Sequence, residues 1–522
     1  MAKQLQSTSI SAPGFLGLNT QESAVDLADG YALIASNVVI DKFGRLGARK
    51  GWVYRTTALE GVDDDNVDVG LKGMHNFIDL AGVKTYLSWS DSKFYKGYGN
   101  LEELTPTTTD TITNGDWQCV SLNDRAYYFQ RGYKPLYYTN ETTTDEFKSI
   151  ENHADYTGTA PQANAVLSAY GRLWAADTST NKTTVFFSNL LNGAEWSGGS
   201  SGRLNITGTF SRNSDVIVGL GAFNGTLVVF CKNSILIFAD NDSFEGSFDP
   251  TTLSLVEAIE GVGCISRDTI QHTGEDILFL SATGVRSLGR TIQEKSQPFR
   301  DISRNIRDDV VATVENESNP QNIKAVYSPV HAFYLLTFPQ SGFVFCFDTR
   351  APLQDGSYRA TQWELLYHTS YLYDSTTRQL LMTNEDGIAE YFGYQDNGKP
   401  YRMRFFTSYD EFGQPVTTKI AKRVGVTVIG PQGQDFIIKI GTDYTTTYRS
   451  YGFVLSRSGE TFEYNIGEYD IAEYSGGLRI ENIRASVGGQ GVVLQAGLET
   501  EINGAPFSLQ RLDVYAKSGR VL

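Results

Sequence analysis

Residues 215–240 read DVIVGLGAFNGTLVVFCKNSILIFAD. An apolar strand runs into Asn224-Gly225, a second strand follows from Leu227 to Cys231, and after Lys232-Asn233 a third runs from Ile235 to Ala239. Asn-Gly supplies the positive φ that a tight hairpin needs, and β-branched and aromatic residues on both sides fit a pleated surface. The same grammar recurs from Gly73 to Tyr98, from Trp117 to Tyr138, in NAVLSAYGRLWAADTSTNKTTVFFSN ending near Asn189, from Arg267 to Arg290, from Asn322 to Asp348 and from Ser370 to Tyr394. The first turns carry Ala81-Gly82, Asn123-Asp124, Tyr170-Gly171 and Gly274-Glu275. Successive turns lie about 42 to 57 residues apart, close to the period of propeller blades. The expected fold is all-β: a six-to-eight-bladed β-propeller with an N-terminal arm and a C-terminal β-sandwich. A run of generic hairpins in one or two sandwiches is the alternative architecture.

Two segments break this pattern. Asp29 to Asn37 (DGYALIASN) reads as a short helix with Asp29 as N-cap. Between Asp301 and Glu315, Ile302, Ile306, Val310 and Val314 recur every four residues with charges between them, which predicts an amphipathic helix packed between the fifth and sixth units. After Tyr394, QDNGKP (395–400) reads as a linker. The strands RMRFFTSY, RVGVTVIG, DFIIKIG, GLRIENIRASV, GVVLQAGL and SLQRLDVYAK then predict the sandwich. The expected organisation is an N-terminal arm or docking segment at 1–60, a propeller body at 61–395 with the helical insertion near 301–315, and the sandwich at 396–522. The acidic stretch GVDDDNVD (61–68) separates arm from body.

The 522 residues carry 44 Lys plus Arg against 60 Asp plus Glu, a net charge of -16. A surface that grips nucleic acid by neutralising phosphates needs clustered cations, so this balance argues against such a protein but not against a conduit that DNA slides past. The opening MAKQLQSTSISAPGF has no apolar signal core, and the longest apolar runs are about five residues, so neither a signal peptide nor a membrane-spanning segment is expected. Cys119, Cys231, Cys264 and Cys346 are widely spaced with no C-x-x-C, which suggests buried hydrophobes in a reducing cytosol, not a zinc site or disulfides.

Motifs for chemistry fail on context. Gly198 to Gly202 matches G-x-S-x-G but leads into a strand, not the helix a nucleophile elbow requires. Gly219-x-Gly221 is followed by another strand, so no helix N-terminus cradles phosphate. Asp240-Asn241-Asp242 begins like a calcium loop, but Glu245 stands where that loop needs Gly. His75, His153, His272, His331 and His368 are scattered, with no i, i+4 pair. A propeller glycosidase needs two converging carboxylates; Asp91, Asp116, Asp276 and Glu385 are on loops, and the sequence does not say which converge. Ser88-Trp89-Ser90-Asp91 is the nearest approach to the sialidase turn, with the wrong spacing. Tyr127-Tyr128, Tyr133 and Tyr137-Tyr138 fit strand packing better than a sugar platform. No catalytic residue, metal site or cofactor is expected.

The N-terminal segment adds a resemblance. Gly17-Leu18-Asn19, Ala35, Asn37, Gly44-Arg45-Leu46 and Arg49-Lys50-Gly51 resemble the opening of tail hub or nozzle proteins (tail tubular protein B-like) of short-tailed bacteriophages. Gly171-Arg172-Leu173-Trp174, Val185 to Asn189, Gly219-Leu220-Gly221, the hairpin to Phe238, the helix after Asp301 and the sandwich beginning near Lys419 to Val426 extend it over nearly the whole chain. It implies a non-enzymatic virion protein, assembled in the host cytoplasm. Such a protein forms a ring of six copies below the portal and its adaptor, continues the DNA ejection channel, and docks fibres or spikes. Genomic DNA would pass without specific binding, and an acidic lumen would keep it from sticking. On this reading Arg45, Arg49 and Lys50 are candidate contacts to the adaptor or a neighbouring copy, with local pairing the alternative. A carbohydrate-binding or glycan-degrading propeller of a phage tail is the competing reading, and a cellular propeller scaffold a third, weakened by the missing Trp-Asp and kelch signatures.

Overall fold

The computed structural model describes residues 5–521 except 25, 57, 60–69, 141–144, 211–214, 241–247, 295–300, 365, 367, 446 and 456–477. The acidic stretch at 61–68 lies outside the described residues. Described residues 73–391 form a ring of sheets whose first strands follow one another around an axis: Gly73–Ile78, Gln118–Leu122, Ala163–Ala169, Ile217–Phe223, Gln271–His272, Lys324–Ser328 and Ser370–Asp374. Six of these sheets are four-stranded antiparallel blades, the first joined also by Ala58–Leu59; the one opened by Gln271–His272 has three strands. The arrangement is a six-bladed β-propeller carrying a smaller sheet between its fourth and fifth full blades. Numbered by position in the ring, the small sheet is the fifth.

Strand alternation explains why the run Leu227 to Cys231 is apolar throughout. Leu227, Val229 and Cys231 face the core shared with the third blade, while Val228 and Phe230 face the small fifth sheet. Phe230 and Phe279 meet there with ring centroids 5.1 Å apart. Burying each such ring contributes roughly 1.5–3 kcal/mol. Every adjacent pair of sheets shares such a core, including the first and seventh, where Met74, Tyr86 and Tyr95 pack on Leu381 and Ile388. Asn123-Asp124, Tyr170-Gly171 and Asn224-Gly225 all have positive φ, as the hairpin reading required. That reading missed the outer fourth strands, such as Glu146–Ser149 and Gly202–Asn205, which are short and carry one large apolar side chain each.

The seventh blade borrows its fourth strand from the N-terminal segment: Trp52–Tyr54 pairs with Gly387–Tyr391 and closes the ring. Other strands of that segment belong to a two-layer body at the C-terminal end. Leu5–Ser11 pairs with Ser508–Val521, and Tyr31–Ser36 pairs with Tyr401–Thr407. One layer contains Leu5–Ser11, Val38–Ile40, Leu46–Ala48, Thr417–Gly430, Arg479–Ser486 and Ser508–Val521; the other contains Tyr31–Ser36, Tyr401–Thr407, Asp435–Thr442, Arg449–Val454 and Leu494–Ile502. Val424, Val426 and Leu512 of the first meet Phe405, Ile438 and Leu498 of the second in one core. The second layer runs on into the sixth position through Ser36, which pairs with Gln362 of Arg359–Glu364. The described residues between 5 and 54 are therefore woven into both bodies.

The expected helix at Asp29 to Asn37 is a strand, Tyr31–Ser36. Pairing with Tyr401–Thr407 and Arg359–Glu364 outweighs local helix propensity there. The second expected helix forms as a 3-10 turn, Arg304–Ile306, followed by α-helix Arg307–Asn316. Ile302, Ile306 and Val310 are fully buried between the fifth and sixth sheets, in a core shared with the two-layer body. Helix Leu288–Glu294 was not anticipated.

Candidate functional site

In a propeller the ends of the innermost strands converge on the axis, and ligand sites form where their polar groups point at one another. At the entering ends here, that position is taken by Arg267. It lies in the turn Arg267–Thr269, beside the small fifth sheet. Its guanidinium donates to the Asp116 carbonyl at 2.8 Å and to Asp116 Oδ1 at 2.9 Å, just before the second blade. It also donates to the Asn164 carbonyl and Oδ1, at the start of the third blade. These partners sit two and three places around the ring, so the side chain crosses the axis.

The network extends outward on both sides. Asp268 accepts from Lys324 Nζ at 2.5 Å, reaching the sixth position. Burial opposes its charge, but Lys324 and Arg267 together hold its carboxyl below the usual range. Asp116 is pushed the other way, chiefly by burial and in part by Asp268. Asn164 Nδ2 donates to Asp177 Oδ2 at 3.0 Å, and Asp177 is also held by Arg131 and by Lys182 Nζ at 2.7 Å. The arrangement satisfies its own charges and ties four positions of the ring together, the second, third, fifth and sixth. Its chemistry is that of a structural lock.

A second lock closes the ring on the opposite side. Asp374, fully buried at the end of the seventh blade's first strand, accepts from Lys84, Tyr86 and Asn76 of the first blade and from Thr377 Oγ1 and the Thr376 amide. His75 Nε2 and Ser121 Oγ, 2.7 Å apart, join the first and second blades; burial pushes the imidazole down to about 4, so it is neutral at pH 7.

The three candidate contact residues do not form one surface. Arg49 is fully buried: its guanidinium donates to Asp396 Oδ1 and Oδ2 at 2.8 and 2.7 Å and to Asn37 Oδ1, and lies over the Tyr401 ring at 4.1 Å. It is an internal tie between the segment that closes the propeller and the two-layer body. Asp396 belongs to the expected linker, which is thus a pinned turn. Arg45 stacks on Phe43 at 4.5 Å, and the half-buried Lys50 gives its amide to Tyr391 Oη.

The remaining motifs resolve into packing. Tyr127, Tyr128, Tyr137 and Tyr138 are buried between blades, as strand packing required. Ser200 sits in a turn held by Asn189 Oδ1. Asp276 accepts from Ser287, the Gly289 amide and its own neighbour's amide. Asp240 caps a turn by accepting from the Asp249 amide and Thr252, whereas residues 241–247 of the calcium-like stretch lie outside the described residues. Among the described residues no group of three or more His, Cys, Asp or Glu is placed to hold a metal ion. No helix among them is long and apolar enough to cross a membrane.

The sequence matches no known protein family, and no curated protein matches it. Among solved structures, the fold is similar to PorZ, described as an essential bacterial surface component of the type-IX secretion system of Porphyromonas gingivalis. Identity is 11% over 62% of this chain and 37% of that one, with a TM-score of 0.33. It is also similar to an auxiliary nutrient binding protein from Bacteroides thetaiotaomicron, at 8% identity over 74% of this chain and 76% of that one, with a TM-score of 0.32. Likeness at this level carries no argument about function.

Proposed function

We propose that this chain is a structural virion protein, the tail hub or nozzle of a short-tailed phage. Its copies assemble into a ring that extends the DNA ejection channel below the portal and adaptor and docks fibres or spikes. The observation that carries this reading, beside the resemblance, is the fate of the axial polar groups. The place where a propeller gathers ligand-binding residues is spent on Arg267 and its partners, and the N-terminal segment welds propeller and two-layer body into one rigid unit. Those are properties of a structural part of an assembly. The net charge of -16 supports a conduit, because a carboxylate-rich surface repels the passing phosphate backbone.

A glycan-binding propeller is the competing reading. It draws no support from the buried tyrosines, nor from Asp116 and Asp276, which are engaged internally. The test is a nonsense mutation in the coding sequence of this chain within the phage genome. DNA-filled heads that lack a complete tail and fail to infect support the proposal, and complementation restores them. Normal tails with lost capsule or glycan cleavage overturn it in favour of the competitor.

A further inference from the structure

The two-layer body turns one sheet face outward, across strands Arg479–Ser486, Thr417–Gly430, Ser508–Val521 and Leu5–Ser11 in that order. Register aligns its rows. Arg423 lies between Ser486 and Tyr515, Gly425 between Arg484 and Asp513, and Thr427 between Asn482 and Arg511, while Ser7, Ser9 and Ser11 follow beside Tyr515, Asp513 and Arg511. Alternation sends Val424, Val426 and Leu512 to the core and this set to the outside. Arg423, Arg484, Arg511 and Lys517 are all exposed. Among the described residues of these strands, the carboxylate on that face is Asp513, which accepts from Ser9 Oγ and, at 2.8 Å, from Arg511 Nε. Four cations against one carboxylate make this face basic in a chain whose net charge is -16. The serines and Gly425 keep its floor low between the arginines, so another surface can approach closely.

The same body carries the complementary surface on its other side. Thr8, which points away from the face that Ser7 and Ser9 occupy, donates to Asp410. Backbone contacts gather further carboxylates beside Asp410: the Tyr409 amide donates to the Ala24 carbonyl at 3.1 Å, bringing up the segment of Asp26, Asp410 pairs with Leu494, and Asp443 Oδ1 accepts from the Val492 amide two residues before Leu494. Glu411 follows Asp410 in the chain, and burial together with Glu411, Asp26 and Asp443 raises the Tyr444 phenol. Tyr444 is 51% exposed, with its ring 4.6 Å from that of Tyr409. The rim is thus acidic, with Asp410, Glu411 and Asp443 around the buried Lys419 ammonium and Tyr444 as an aromatic anchor of the kind that fills interface centres.

We propose that the Arg423, Arg484, Arg511 and Lys517 face of one copy receives the acidic rim around Tyr444 of the next copy. This rests on the ring reading above and names its contact. Two different patches of one body make a head-to-tail contact, which builds a ring when the rotation from copy to copy closes. A second copy fits better than a nucleic acid. The net charge of -16 repels a polyanion as a whole. The chain itself supplies the matching charge and the Tyr444 anchor.

The experiment is sedimentation velocity of the full chain at about 30 mM and about 300 mM salt, because exposed charge pairs weaken as screening rises. The variants are R423E/R484E, D26K/E411K and the four substitutions combined. The wild type is expected to self-associate at low salt and to weaken about tenfold or more at high salt. Each double variant loses association, and the combined variant, with both signs exchanged, regains it. As a check free of variants, carbodiimide coupling of mixed light and isotope-labelled wild-type protein should join Lys517 of one copy to Glu411 or Asp443 of another. Association indifferent to both double variants, or none at either salt, overturns the proposal. So does duplex DNA binding that R423E/R484E abolishes, which would assign the face to nucleic acid. Copy number in particles reads the ring independently: a ring there without the Lys517 crosslink leaves the ring standing and removes this contact.

Discussion

The Arg267 guanidinium donates to Asp116 Oδ1 at 2.9 Å across the axis of the propeller, between residues 151 positions apart in sequence. Removing it leaves Asp116 and Asp268 near the axis without their shared cation. Arg267→Met is expected to cost about 3–5 kcal/mol, the range for breaking one side of a buried pair. Guanidinium unfolding followed by tryptophan fluorescence measures this. A loss below about 1 kcal/mol, the range of an exposed pair, would mean that Arg267 is a surface group and the axis is open.

Arg49 and Asp396 couple ring closure to the two-layer body. Arg49→Met is expected to raise amide exchange first in Trp52–Tyr54 and Gly387–Tyr391, the strands that close the ring. Hydrogen–deuterium exchange read by mass spectrometry checks it. Exchange that rises equally in the second and third blades would contradict a local latch.

Asp374 gives the closure an acid-side dependence. Burial opposes its charge, but bonds from Lys84, Thr377 and Tyr86 hold its carboxyl well below the ordinary range. A carboxyl lowered on folding adds stability that is present above its unfolded value, about 4, and is lost as pH falls toward the folded value. Asp374→Asn should therefore be less stable than wild type at pH 7, and the gap should narrow as pH falls below about 4. Thermal melts of both proteins between pH 7 and pH 3 test it. A gap independent of pH would show that the charge is not what closes the seam.

The cysteines should be silent in the native state. Burial pushes the thiols of Cys231 and Cys264 up to about 12, and those of Cys119 and Cys346 are raised as well. Thiolate is the reactive form, so a disulfide reagent at pH 8 should label none of the four rapidly and all four after unfolding. Rapid labelling of one native thiol would locate an opening in the blades.

What the sequence disclosed follows the range of the interactions involved. Leu227 to Cys231 was legible because both strand faces are buried, and Asn224-Gly225 because its backbone demands are local. The periodicity from Ile302 to Val310 announced its helix for the same reason. Tyr31–Ser36 was misread as helix because its partners lie hundreds of residues downstream. The axial lock was invisible, since Arg267 meets Asn164 and Asp116 at separations of 103 and 151 residues. Arg45, Arg49 and Lys50 were candidate assembly contacts with local pairing as the alternative, and charge alone does not give direction; the fold sends Arg49 inward to pair with Asp396.

The most direct test of the central claim is quantitative mass spectrometry of purified phage particles from the source, scaled to the portal ring. The account predicts a fixed copy number, half that of the portal, consistent with a six-fold ring. Absence from particles, or a copy number that varies between preparations, would contradict it.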